Sequence, residues 1–149
     1  MGHLTAVTNP DGHTLGFRHD AVGRLVSAFD AEGREARREL DVAGRMRRLI
    51  DANGNGRRFE YHDASQDGRL REACDALNRC TRFDYDANGN VTVVTDALGA
   101  TTLLSHDALN RLTRVVGPAY ADPTQGEVRP VSVYRHDGLG HRVERPSDR

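Results

Sequence analysis

Phe83-Asp84-Tyr85-Asp86-Ala87-Asn88-Gly89-Asn90-Val91 places an aromatic-rich run and a β-branched run on either side of an Asp-x-x-Gly bend. Asp at the first position of a type I turn can accept hydrogen bonds from backbone N–H groups ahead of it, and Gly is favoured three places on. With that Gly at positive φ, the bend becomes a three-residue hairpin loop with a G1 bulge. The residue before Asp then lies opposite the residue six places on, which pairs Tyr85 with Val91.

The same bend recurs along the chain. A first set of copies is Asp20 to Gly23, Asp41 to Gly44, Asp86 to Gly89, Asp107 to Asn110 and Asp137 to Gly140, with a degenerate copy around Asp63. A second set lies between them: Asn9-Pro10-Asp11-Gly12, Asp30 to Gly33, Asp51 to Gly54, Asp75 to Asn78 and Asp96 to Gly99. Asn78 and Asn110 fill the Gly slot, and Asn is the next most tolerant residue there. First-set Asp residues stand at 20, 41, 63, 86 and 107, so a turn of one set or the other comes every 10 to 12 residues. That spacing suits short strands and leaves no room for an ordinary helix. The expected fold class is all-β, an antiparallel meander of short β-hairpins.

Across the turns the expected pairs are His19–Leu25, Leu40–Met46, Cys74–Cys80, Tyr85–Val91 and His106–Leu112, mostly apolar or aromatic. His136–Arg142 breaks that rule, which predicts a shifted or frayed last hairpin. Alternation within the strands is imperfect, and a wall with one semi-polar face fits as well as a dry sandwich. Residues 1–143 read as one repeat array with loop insertions near 63–69 and 117–130, the second centred on Gly117 to Gly126, and 144–149 as a frayed tail.

Composition narrows the function classes. The chain has 149 residues, with 21 Arg, no Lys, 15 Asp and 7 Glu, a net charge of −1 that argues against a polybasic nucleic-acid binder. Hydrophobic residues are 37% and aromatics 5%, so any core is thin. No run approaches the roughly 20 apolar residues of a membrane helix, and Met1-Gly2-His3-Leu4-Thr5-Ala6 lacks the regions of a signal peptide.

The Phe83 to Val91 stretch and the Asp-x-x-Gly-Arg-Leu copies resemble the tyrosine–aspartate (YD) repeats of Rhs proteins over about residues 8 to 143. Tyr holds its slot at Tyr85, with His19, His106 and His136 in the matching places. The resemblance implies a β-strand ribbon spiralling into a hollow shell, as in bacterial Rhs proteins, related toxin-complex components and teneurins. It implies export as part of a larger bacterial protein. The family's end-of-core signature, a Pro-x-x-x-x-Asp-Pro-x-Gly-Leu run with self-cleavage aspartates, has no match, so no residue here inherits that cleavage role. The expectation is an excerpt of a shell.

Other constellations yield to plainer readings. His19-Asp20, His62-Asp63, His106-Asp107 and His136-Asp137 imitate catalytic dyads, but neighbours on a strand point to opposite faces, and the spacing is the repeat's own. Asp51-Ala52-Asn53-Gly54-Asn55-Gly56 imitates half of a calcium loop, and its bidentate Glu is replaced by His62. Cys74 and Cys80 face each other within disulfide range. Two buried thiols are the simpler account and a disulfide the alternative. Arg37, Arg38, Arg45, Arg47, Arg48, Arg57 and Arg58 cluster among Glu39, Asp41, Asp51 and Glu60, as on a solvated, ion-paired strand surface.

The reading is a non-enzymatic structural module with no catalytic, cofactor or metal residues, part of a shell that encapsulates or displays a toxin or effector cargo. Its expected partners are the rest of an Rhs-type polypeptide, the cargo, or another copy through edge strands. The alternative is a cell-surface module that binds a glycan or protein through the Gly117 to Gly126 loop.

Overall fold

The computed structural model describes residues 2–63 and 68–144. Those residues form strands and turns, with no helix among them. The chain divides into two compact units, Met1–Asn78 and Arg79–Arg149.

The first unit is a pure antiparallel meander, its strands adjacent in chain order. They are β1 (Ala6–Thr8), β2 (Thr14–His19), β3 (Leu25–Phe29), β4 (Glu35–Leu40), β5 (Met46–Ile50), β6 (Gly56–Tyr61) and β7 (Leu70–Cys74). In the second unit β8 (Cys80–Tyr85), β9 (Val91–Thr95), β10 (Thr101–His106) and β11 (Leu112–Val116) continue the pattern. The 117–130 insertion contains a hairpin of its own, β12 (Tyr120–Asp122) with β13 (Gly126–Val128), after which β14 (Val131–Val133) pairs with β11. A last hairpin joins β15 (Arg135–His136) to β16 (Arg142–Glu144). β16 takes Glu144 out of the expected tail, while 145–149 and the centre of the first insertion, 64–67, lie outside the described residues.

The expected register holds at His19↔Leu25, Leu40↔Met46, Tyr85↔Val91 and His106↔Leu112. Two expectations change. His136 pairs with Arg142 in the same register as the other hairpins, because the turn fixes the pairing whatever side chains flank it. Tyr61, paired with Leu70, also occupies the Tyr slot. The added loop residues move His62 into the place of the turn Asp, its N–H bonding the Arg69 carbonyl at 2.8 Å.

First-set hairpins carry a second irregularity that the turns alone do not require. Arg18 pairs with Ser27 and His19 with Leu25, so Val26 has no partner. The same bulge leaves Arg47, Arg71, Thr92, Thr113 and Val143 unpaired in the other first-set hairpins. The second-set pairings β1–β2, β3–β4, β5–β6 and β9–β10 run without a shift. A bulge bends its strand and raises local twist, and here it recurs at one end of the strands only.

Neither face is sealed. Substantial packing between elements runs only between sheet neighbours, so each unit is a single layer. Of the described apolar side chains only Ile50, Cys74 and Val116 are buried, joined by Ser27 and Glu72. In the first unit one face carries the row Glu39–Arg48–Arg58–Cys74, while the other carries Phe17–Ala28–Ala36 and Phe59–Ala73. The chain exposes 10738 Å². A compact monomer of its mass would expose about 7,600 Å², and two compact domains of half that mass about 9,100 Å² together.

Candidate functional site: a lattice of carboxylate turns

In every regular turn Asp works as a three-way clamp. At Asp20 the carbonyl accepts the Gly23 N–H at 3.0 Å, and the backbone N–H donates to the Arg24 carbonyl at 2.9 Å. Its Oδ1 accepts the N–H groups of Val22 (3.1 Å) and Arg24 (2.9 Å), and its Oδ2 accepts Arg24 Nε at 2.6 Å. Asp41 binds Arg45 Nε at 2.7 Å, Asp107 binds Arg111 Nε at 2.7 Å, and Asp30 binds Arg34 Nε at 2.6 Å. Asn55 and Asn90 donate side-chain N–H groups to Asp51 and Asp86 from the same position. His141 Nδ1 lies 3.3 Å from Asp137 Oδ2. Asp75 and Asp96 accept the N–H groups of Leu77 and Leu98 on Oδ1. Gly23, Gly33, Gly44, Gly54, Gly89, Gly99 and Gly140 sit at positive φ, as do Asn78 at 57° and Asn110 at 61°.

These contacts hold the carboxylates ionised. The backbone N–H four residues on is the largest influence at Asp20, Asp107 and Asp137, and the side-chain amide of Asn55 or Asn90 at Asp51 and Asp86. At Asp30 and Asp41 desolvation pushes upward and is outweighed by hydrogen bonds from Arg34 and Arg45. All seven end below the usual carboxylate range.

The residue four places after Asp has a second task, on first-set turns only: it reaches forward to the next turn of that set. Arg45 Nη1 donates to the Gly68 carbonyl at 2.9 Å, and its guanidinium stacks over the Tyr61 ring 4.5 Å away. The Tyr61 hydroxyl reaches back to the Met46 carbonyl at 2.8 Å. Arg111 Nη1 bonds the Asp137 carbonyl at 3.3 Å, and Asn90 Nδ2 bonds Asn110 Oδ1 at 2.9 Å. The His3 ring lies over Gly23, and Arg24 Nη1 lies 3.1 Å from where a Gly44 Cβ would stand. Second-set glycines 12, 33, 54 and 99 have nothing within 4 Å of that position. The two ends of the hairpins therefore differ: one is latched turn to turn and one is open.

The other sequence candidates fall into place around this lattice. Leu40, Tyr61 and Tyr85 separate His19, His106 and His136 in the shared slot, so the histidines form no continuous column. His106 Nδ1 is buried without a partner, where Tyr61 uses its hydroxyl. The calcium-like loop turns its Asp51 carboxylate inward, onto the N–H groups of Asn53 and Asn55. Cys74 and Cys80 are disulfide-bonded, in place of two thiols. Arg58 Nη2 bridges the Cys74 sulfur at 3.4 Å and the Glu72 carboxylate at 3.3 Å.

The RHS repeat family model matches residues 2–35, 19–55, 65–101 and 85–122, well over half the chain. This chain belongs to the RHS repeat family. Among solved structures, a Tc holotoxin pore of Photorhabdus luminescens, carrying a substitution in TccC3, superposes with a TM-score of 0.72 at 17% identity. It covers 97% of this RHS chain, which spans only 8% of that one, and the likeness is one of fold. A crystal structure of TcdB2-TccC3-Cdc42 matches 87% of this chain and 9% of its own at 18% identity and a TM-score of 0.45. No curated protein matches by sequence. The forward-reaching side chain was the residue that sequence reasoning missed. Its signal was the Arg, Asn or His recurring four places after each Asp.

Two measurements probe the lattice. Gly33→Ala incurs only the left-handed backbone penalty, about 1–2 kcal/mol. Gly68→Ala also puts a Cβ 2.2 Å from Arg45 Nη1, so its urea midpoint falls further, by about another 1 kcal/mol for the displaced hydrogen bond. Equal losses would contradict the latch. The Asp pKa values are lowered in the fold, so their stabilisation is fully present above the unfolded value of about 3.9 and is lost as pH falls through the lower folded values. The melting temperature should be unmoved by these groups from pH 7 to 5 and drop below about pH 4; a flat profile to pH 2.5 would contradict the clamp.

Proposed function

We propose that this RHS-repeat chain serves as a wall segment, a non-enzymatic stretch of shell whose exposed faces hold or screen a polypeptide cargo within a larger RHS-type protein. The observation carrying this reading is the single layer. A sheet with both faces half open, almost no buried core and more surface than two separate domains would need is built to be completed by other chain. Aliphatic side chains at the turn tips support it: Val22, Val42, Leu77, Leu98, Leu109 and Leu139 are 70–105% exposed. The carboxylates seen at the turns are committed to backbone N–H groups and to the residue four places on, so they serve the fold and offer no free general base.

The recognition reading would use the β12–β13 hairpin, where Tyr120 is exposed. Its tip is held by Asp122 Oδ1, which accepts the N–H groups of Thr124 and Gln125 at 2.8 and 2.9 Å. One exposed ring is a narrow platform for a sugar, and the wall reading accounts for more of the molecule.

Size-exclusion chromatography with light scattering tests the proposal. The isolated 16.5 kDa chain should self-associate, or unfold at low denaturant, and co-expression with the flanking repeats of the same polypeptide should remove both properties. A monodisperse monomer with a high melting temperature would contradict it.

A further inference from the structure

A cavity of about 490 Å³ opens at the unlatched end of the first unit, lined by Arg48, Arg57, Arg58, Asn55, Asp75 and Asn78, with Gly54, Gly56 and Ala76 completing it. We propose that this cavity binds a carboxylate-rich segment of polypeptide; the inference rests on the wall reading and names the chemistry of the cargo the wall would hold.

Charge is the first argument. Three guanidiniums and one carboxylate line the cavity. Arg48 and Arg58 are direct cross-strand partners, and like charges placed opposite each other on a sheet are unfavourable. Their carboxylate neighbours relieve this weakly: Glu39 lies 3.9 Å from Arg48, and Glu72 and Glu60 lie 3.3 and 4.0 Å from Arg58. At the turns the comparable contacts are 2.6–2.7 Å. An incoming carboxylate would complete what the fold leaves under-neutralised, and Arg can take it in bidentate fashion.

Shape is the second. Gly56 removes the side chain that would fill the floor, and the Arg48 guanidinium lies across it, Nε being 3.5 Å from a Cβ placed there. The volume falls within the about 300–1,000 Å³ of ligand-holding clefts. Two side-chain amides and the backbone of Gly54 and Gly56 add hydrogen-bonding groups of the kind a peptide uses. No aromatic ring lines the cavity, which disfavours an acidic sugar or a nucleic acid, since both lean on stacking.

The test is fluorescence anisotropy of a fluorescein-labelled octaglutamate peptide with the full chain, at low and physiological ionic strength. Binding that weakens with salt is expected. Arg48→Gln with Arg57→Gln should raise Kd at least tenfold, and Gly56→Leu, which keeps every charge, should also weaken binding. Arg114→Gln with Arg129→Gln, an equal charge loss elsewhere, should leave it near wild type. Each variant must match the wild-type circular dichroism spectrum. Equal weakening by both arginine pairs, full binding by Gly56→Leu, absence of binding, or preference for a heparin disaccharide would each overturn the proposal. None of these outcomes touches the chromatographic test of the wall reading, so the two can fail separately.

Discussion

A hairpin loop leaves backbone N–H groups without ladder partners, and a chain with a turn every ten to twelve residues faces that deficit repeatedly. Asp supplies the remedy from one side chain. Oδ1 accepts two of those N–H groups, and Oδ2 fixes the residue that leaves the loop. With almost no buried apolar side chains, the sheet has no core to correct a misplaced turn. Register and pairing depend on this local clamp, and stability becomes close to a sum over neighbouring repeats.

The second layer of organisation is the difference between the two ends of the hairpins. At the first-set end, the side chain fixed by one Asp reaches the following turn, so each clamp orients the group that braces its successor. Tyr61 shows why an aromatic residue belongs before that turn. Its ring receives the Arg45 guanidinium while its hydroxyl returns to the Met46 carbonyl, linking adjacent hairpins in both directions. A bulge accompanies every first-set hairpin. The second-set end has neither brace nor bulge, and the arginine cavity opens there. Rigidity and binding capacity thus occupy opposite ends of the strands.

Fold class and strand register were legible in the sequence because they depend on local chemistry. Asp, the Gly or Asn at positive φ and the six-residue offset suffice to place His19 against Leu25 or Tyr85 against Val91. What required coordinates was contact across repeats. The forward reach of Arg45 spans 23 residues and looks in sequence like one more surface arginine. Tyr61 was obscured by an insertion that makes His62-Asp63 look like the repeat. His136–Arg142 looked unsuitable as a pair because side-chain character was weighed above turn geometry, and the turn decides. The state of Cys74 and Cys80 was open because opposed positions allow either thiols or a bond.

Hydrogen exchange read residue by residue on the Asp41→Ala chain tests the clamp most directly. The account predicts that amides of β4 and β5 lose protection together with those beside Gly68, one repeat ahead, while those flanking the Asp30 turn keep theirs. Unchanged protection across β4 and β5 would contradict it, since the hairpin would then close without the carboxylate.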